Sequence, residues 1–300
     1  MDYKNKYLKY KSKYLILKKK MTFNKMIGGY KTYLEALDEI FTKFKGDDSE
    51  HSIQKDTELL QEILEEKNVS PCHGIEHAKT VMYHAWCALE DYELSDDDKL
   101  AVLLAALLHD ADDGKFFPEH KNYENLRKIL KKTGKSDSFI ENVVYMVSIV
   151  SASKNGDTIP EQVRGKEWML IPRYADRIEA IGIIGIERCY TYTKNVSKMP
   201  LYLDDTPRPK TEKEIWEFAT EERYNSYKGK SKSMIDHYYD KLLRLSTFPI
   251  RNKYFDSECK KRRQPLIDFL IYFGEKGTIT YEEVEKFIKD HSAPISISDE

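Results

Sequence analysis

Three short stretches hold side chains that together could bind a divalent cation: His73-Gly74-Ile75-Glu76-His77, then Leu107-Leu108-His109-Asp110, then Tyr174-Ala175-Asp176-Arg177. Neutral imidazole with carboxylate suits a borderline divalent metal such as Mn²⁺, Fe²⁺, Ni²⁺ or Zn²⁺. A cation held by few protein groups keeps positions open for water and substrate, which is what hydrolysis needs.

Each piece also has a plainer reading. His109-Asp110 closes an apolar run, and both residue types are common where a helix stops. Neighbouring helical side chains diverge by roughly 100°, so both reach one ion only near the helix end. His77 is either a ligand or an ordinary surface or core histidine. His73, four residues earlier, is either a substrate contact or acid, or a helix cap near Pro71. Asp176 lies in an apolar helical run, where an unpaired acid is costly. It binds a metal or joins a surface network with Arg173 or Arg177, although adjacent helical residues do not face each other.

Helical periodicity supplies the elements that must position these groups. The spacing predicts helices over 33–45, 53–67, 74–92, 119–132, 138–151, 168–192, 231–245 and 255–274. Ser95 followed by Asp96, Asp97 and Asp98 is a start signal, a capping side chain with acids on the positive dipole end. The helix it opens runs through Ala101–Leu108 and is apolar all round. Thr280 with Glu283 forms a capping-box pattern for a last helix to about residue 289. No alternating pattern is long enough for a sheet, so the expected class is all-α. Residues 194–229 read as a long excursion or flap.

Composition narrows the class. The chain has 300 residues, 40% hydrophobic and 33% charged, with a formal net charge of -2. That balance gives no strong signal for nucleic acid or membranes. Four scattered cysteines, none in a C-x-x-C pair, suit free thiols in a reducing compartment. The longest apolar run, residues 100–108, is too short to span a bilayer, and no apolar signal segment follows the first lysines. A cytoplasmic protein is expected, in host cytoplasm or virion if the source is viral. Tyr3, Tyr7, Tyr10, Tyr14 and Leu17 form one stripe of a lysine-rich amphipathic helix. That stripe packs on its own domain, pairs with a second copy, or serves as an address. This start resembles those of many giant DNA-virus proteins, and Gly28-Gly29 reads as a hinge.

Taken together, the motifs resemble the HD-domain metal-dependent phosphohydrolase superfamily, closest to its bacterial nucleotide pyrophosphohydrolase-like branch. The resemblance rests on the three stretches above, on Ala111-Asp112-Asp113-Gly114-Lys115-Phe116, on Ile178-Glu179-Ala180-Ile181-Gly182, and on Asp236-His237-Tyr238-Tyr239-Asp240-Lys241-Leu242-Leu243. It spans roughly residues 50–275. It implies an HD helical bundle over 30–275, with 1–29 as an N-terminal extension and hinge and 276–300 as a C-terminal helix and tail. His77, His109, Asp110 and Asp176 would be the metal ligands, with manganese favoured over magnesium, nickel, iron or zinc. Asp113 would act as base or orienter beside the attacking water. Lys115 and His73 would contact phosphate or leaving oxygen. Lys241, His237 and Arg177 would meet substrate, with Arg177 and Glu179 also bracing Asp176.

The implied substrate is a nucleotide, with a (deoxy)nucleoside triphosphate split to monophosphate and pyrophosphate. Monophosphatase, cyclic-nucleotide phosphodiesterase and a catalytically silent binding module are the alternatives, and a homodimer is a possible assembly. Two departures stand out. Thr80 replaces the usual arginine after the first metal histidine, and Ala111-Asp112 replaces a typical Ile-Gly.

Overall fold

The computed structural model describes residues 32–46, 49–69 and 73–292. The tyrosine-lysine stripe, the Gly28-Gly29 hinge and the last eight residues of the tail lie outside them. Among the described residues every regular element is helical, as the periodicity implies. The chain forms two compact units that meet between Asp176 and Arg177.

The first unit is built on α1 (Tyr33–Lys43), α2 (Ile53–Glu66), α3 (Ile75–Ala88), α4 (Asp96–Leu108), α5 (Glu124–Lys132), α6 (Asp137–Ser148) and α7 (Ile171–Glu179), whose last turn crosses into the second unit. Helix α4 is its axis. Ser95 accepts a hydrogen bond from the Asp98 amide at 3.1 Å, and three acids fill the first turn. From Ala101 to Leu108 every side chain is buried, because α3 and α6 pack against α4. A helix apolar on all faces has no other stable location than a core.

Helix α5 begins at Glu124, five residues later than its pattern suggests. The cause is Asp112. Its carboxylate accepts the Asn125 and Leu126 amides at 2.9 and 3.0 Å, setting the first turn from a distant loop. Tyr123 takes a left-handed conformation just before it.

The single helix expected over 168–192 is instead three pieces: a 3₁₀ turn Glu167–Leu170, then α7, then α8 (Gly182–Tyr192). Gly182 has φ +77°, a conformation that other residues avoid. Arg262 meets the buried end of α7 there, donating to the Ile178 carbonyl and the Glu179 carboxylate at 3.0 Å each.

The second unit adds α9 (Glu212–Phe218), α10 (Glu221–Ser226), α11 (Met234–His237), α12 (Lys253–Lys276) and α13 (Tyr281–Ser292). Helix α11 runs on into a π-helical turn, Tyr238–Leu242. The excursion over 194–229 is not a bare loop. It carries α9 and α10, buries Leu201, Thr206, Ile215 and Ala219, and lays the Pro209 carbonyl against Gly274 where no side chain fits. Helix α13 packs on α12 through Phe287 and Phe269, ring centres 5.0 Å apart, so it belongs to the second unit's core.

Candidate metal centre

His77 occupies the first turn of α3, His109 caps the C-terminal end of α4, Asp110 follows in the next turn, and Asp176 lies on α7. All four belong to the first unit. Packing of α3 on α4 brings the two imidazoles to 5.1 Å between ring centres. His77 Nε2 lies 3.5 Å from Asp176 Oδ1 and 3.9 Å from Asp110 Oδ2. His109 Nε2 lies 3.6 and 3.4 Å from the same two oxygens. Four groups separated by as many as 99 residues therefore converge on one point.

Whether they suit a cation is decided by His109. Its Nδ1 donates to the Ala106 carbonyl at 2.8 Å. That bond fixes the tautomer and turns the Nε2 lone pair inward, the usual arrangement for a metal-ligating histidine. Nε2 itself is buried and has no hydrogen-bond partner. A buried polar atom without a partner is costly in a native fold, and a divalent ion between it, His77 and the two carboxylates would satisfy it. Both histidine side chains are only 2% exposed, whereas Asp110 and Asp176 are 21% and 33% exposed. The centre is thus closed below and open on the carboxylate side.

The electrostatics express the same demand for positive charge. Burial works against a charged His109, yet the adjacent Asp110 and then Asp176 hold its pKa up at about 9. Burial dominates at His77 and pushes it down to about 4, despite Asp176 and Asp110. Burial alone would raise both carboxyls, but His109 with His73 holds Asp110 well below its ordinary value. His77 and His109 do the same, less strongly, for Asp176.

The groups expected around the ligands divide by unit. His73 Nδ1 is 2.7 Å from Asp110 Oδ2, so it touches a ligand directly. Asp113 lies close to both. It is 18% exposed and not freely solvated, and it accepts the Lys115 amide at 2.9 Å and faces Lys115 Nζ at 3.5 Å. Lys115 extends into solvent at the rim. Arg173 and Arg177, considered as surface partners of Asp176, are both buried. Arg173 is buried and donates to the carbonyls of Ile149 and Thr158.

Arg177, His237 and Lys241 lie in the second unit. Arg177 is only 1% exposed. Glu179 pairs with Arg262 at 3.0 Å. His237 sits 3.2 Å from the Ser231 hydroxyl, and burial together with nearby Lys241 pushes its pKa down to about 4. Lys241 lies 6.0 Å from the centre of the Tyr227 ring. Sequence reasoning missed the Ala106 carbonyl as His109's anchor, although a histidine at a helix end commonly reaches back three residues. It also missed Asp112 as a cap, for which no local signal exists. Thr80 is turned onto its own helix, donating to the Glu76 carbonyl at 2.7 Å.

No family model matches the chain. Over 235 residues it is 42% identical to an uncharacterized protein of Acanthamoeba polyphaga mimivirus, covering 72% of this chain and 94% of that one. The chain belongs to the family of that mimivirus protein. A structural-genomics crystal structure of a Lactobacillus plantarum protein aligns with TM-score 0.54 and 21% identity, covering 75% of this chain and 95% of that chain. At that identity the likeness concerns the fold. Among the described residues no helix is long and apolar enough to cross a membrane.

Proposed function

We propose that this protein is a metal-dependent phosphohydrolase acting on nucleotides, splitting a (deoxy)nucleoside triphosphate between the α and β phosphates. The observation that carries this reading is the convergence of His77, His109, Asp110 and Asp176, with the His109 tautomer fixed and its Nε2 unpartnered. Those four side chains would hold the cation, manganese being favoured by the mixed imidazole and carboxylate set. When bound, the ion supplies an acidified water and neutralises charge on a phosphoryl oxygen.

The rest is done by side chains. His77 and His109 wall off the buried floor, so phosphate enters on the side where Asp110 and Asp176 are exposed. Asp113 accepts the attacking water's proton there. His73, already bonded to Asp110, stands where it can donate to the departing oxygen. Lys115, at the mouth, attracts and holds phosphate charge. The burial of Arg177 suits bracing its helix rather than contact with substrate.

The test is a nucleotide panel with Mn²⁺ or Mg²⁺ and separate assays for pyrophosphate and orthophosphate. Pyrophosphate release supports the proposal. Orthophosphate from monophosphates, or a linear product from a cyclic nucleotide, would select those alternatives. Asp110→Ala should abolish turnover, and Asp113→Asn should lower kcat by about 10²–10⁴-fold with little change in bound metal. A panel without turnover would leave the binding-module reading. Removing residues 1–27 should leave turnover unchanged if that segment is only an address.

A further inference from the structure

We propose that Asn125 and Asp112 are positioning residues for the metal centre. They clamp residues 110–113 onto the first turn of α5, and so fix where Asp110 meets a cation and where Asp113 meets water. This rests on the metal-centre reading above. Residues 110–113 lie between α4 and α5 and belong to neither. Their internal ties are two tight turns, the Ala111 amide on the Leu108 carbonyl at 3.0 Å and the Asp113 amide on the Asp110 carbonyl at 3.1 Å. Turns of this kind shape a segment locally, and longer-range bonds must decide where it sits. Helix α5 and the loop before it supply those bonds. The buried Asn125 side chain donates through Nδ2 to the Ala111 carbonyl at 2.8 Å. The Asn125 and Leu126 amides reach the two carboxylate oxygens of Asp112 at 2.9 and 3.0 Å. His120 Nδ1 donates to the same carboxylate at 2.5 Å.

The clamp is rigid at both ends. Ala111 and Asn125 are both buried, so losing the Asn125 amide strands a carbonyl away from water, which costs more than the bond itself contributes. Behind them Leu126, Ile129 and Leu130 are buried along α5, which makes its first turn a fixed anchor. His120 is held in turn by stacking on Phe117, ring centres 5.2 Å apart. Asn125 and His120 act through the backbone of a segment whose other side chains carry the chemistry. Asp110 Oδ2 lies 3.4 Å from His109 Nε2 and 2.7 Å from His73 Nδ1, and Asp113 is three residues further on. Such groups must be held to within about 0.5 Å to work together. The clamp also accounts for the cluster of Asp112, His120 and Glu124 without an ion. Asp112 receives His120 and two helix amides, and Glu124 receives the Lys121 and Asn122 amides.

The experiment is Mn²⁺ equilibrium dialysis of the full chain, joined to low-temperature electron paramagnetic resonance and to thermal unfolding of the metal-free protein. Asn125→Ala should bind Mn²⁺ about 10–100-fold more weakly than wild type and give an altered resonance line shape. His120→Phe preserves a ring to stack on Phe117 but loses the bond to Asp112. It should weaken binding several-fold, and it carries the test should Asn125→Ala not fold. Leu130→Ala, buried in the same helix, is the control. It should lower the metal-free Tm yet leave affinity and line shape unchanged, because the clamp bonds stay in place. Wild-type affinity in both Asn125→Ala and His120→Phe overturns the clamp and leaves the metal centre standing. An equal loss in Leu130→Ala overturns it too, by making helix stability the cause. A second ion in the wild type that His120→Phe loses would make Asp112 and His120 ligands instead. A wild-type chain that binds no Mn²⁺ overturns the metal reading itself, and the clamp's role with it.

Discussion

Asp56 shows how much one side chain can weigh against its surroundings. It is fully buried beneath α5, accepts a hydrogen bond from Thr133 at 2.7 Å through one oxygen, and has no partner for the other. Burial raises its pKa from 3.8 to about 6, outweighing Thr133 and Lys135. In the unfolded chain it ionises near its ordinary value. The fold therefore carries no penalty at low pH, and the penalty grows as pH rises from about 4 through 6. Asp56→Asn keeps the acceptor and removes the charge. Its stability relative to wild type should improve between pH 4 and pH 8 by at most about 3 kcal/mol and then level off, as read from urea unfolding. A gap that does not vary with pH would contradict the assignment. The metal-centre residues follow the same logic with the opposite outcome. There the partly exposed acids Asp110 and Asp176 sit beside imidazoles, which hold their pKa values down and keep their charge.

Among the elements, boundaries were the hardest feature to read. The start of α4 was legible because its capping signal is local, Ser95 with three following acids. The late start of α5 was not, because its cap comes from Asp112, twelve residues before the helix begins. The break between α7 and α8 looked like continuous helix because Gly182 is tolerated within such patterns. Arg262, arriving from α12, rewards the interruption by meeting the Ile178 carbonyl and Glu179, and Arg188 donates to the Glu179 carbonyl. Gly182→Ala forces a side chain into φ +77° with its Cβ 3.2 Å from Arg262 Cβ. It should destabilise the protein by about 1–2 kcal/mol, measured by denaturant unfolding. Neutral behaviour would mean that the turn relaxes to an ordinary conformation.

At the scale of the whole molecule, a cation bound at the candidate centre would be linked to folding. The four ligands come from α3, the end of α4 and α7, so an ion that grips them ties those elements together. Mn²⁺ at one hundred times its Kd should add about 2.7 kcal/mol to stability, seen as a rise in Tm that EDTA reverses. His109→Ala should lose that rise, because its buried Nε2 is one of the converging atoms. A Tm insensitive to metal in the wild type would detach the cluster from cation binding. Membership of the mimivirus protein's family agrees with the giant-virus character of the tyrosine-lysine start. The Lactobacillus plantarum likeness extends the fold beyond viruses.

The amino-acid sequence alone determined the helical class, the buried character of Ala101–Leu108, the Ser95 and Thr280 helix starts, and the identity of His77, His109, Asp110 and Asp176 as metal-competent groups. These follow from periodicity and local chemistry, which act over a few residues. Tertiary structure decided that the four groups meet, that His109 presents Nε2 rather than Nδ1, that His73 rests on Asp110, and that Asp112 serves a helix rather than the site. Such outcomes depend on contacts between segments tens of residues apart, and no local pattern encodes the packing of α3 and α7 against the end of α4.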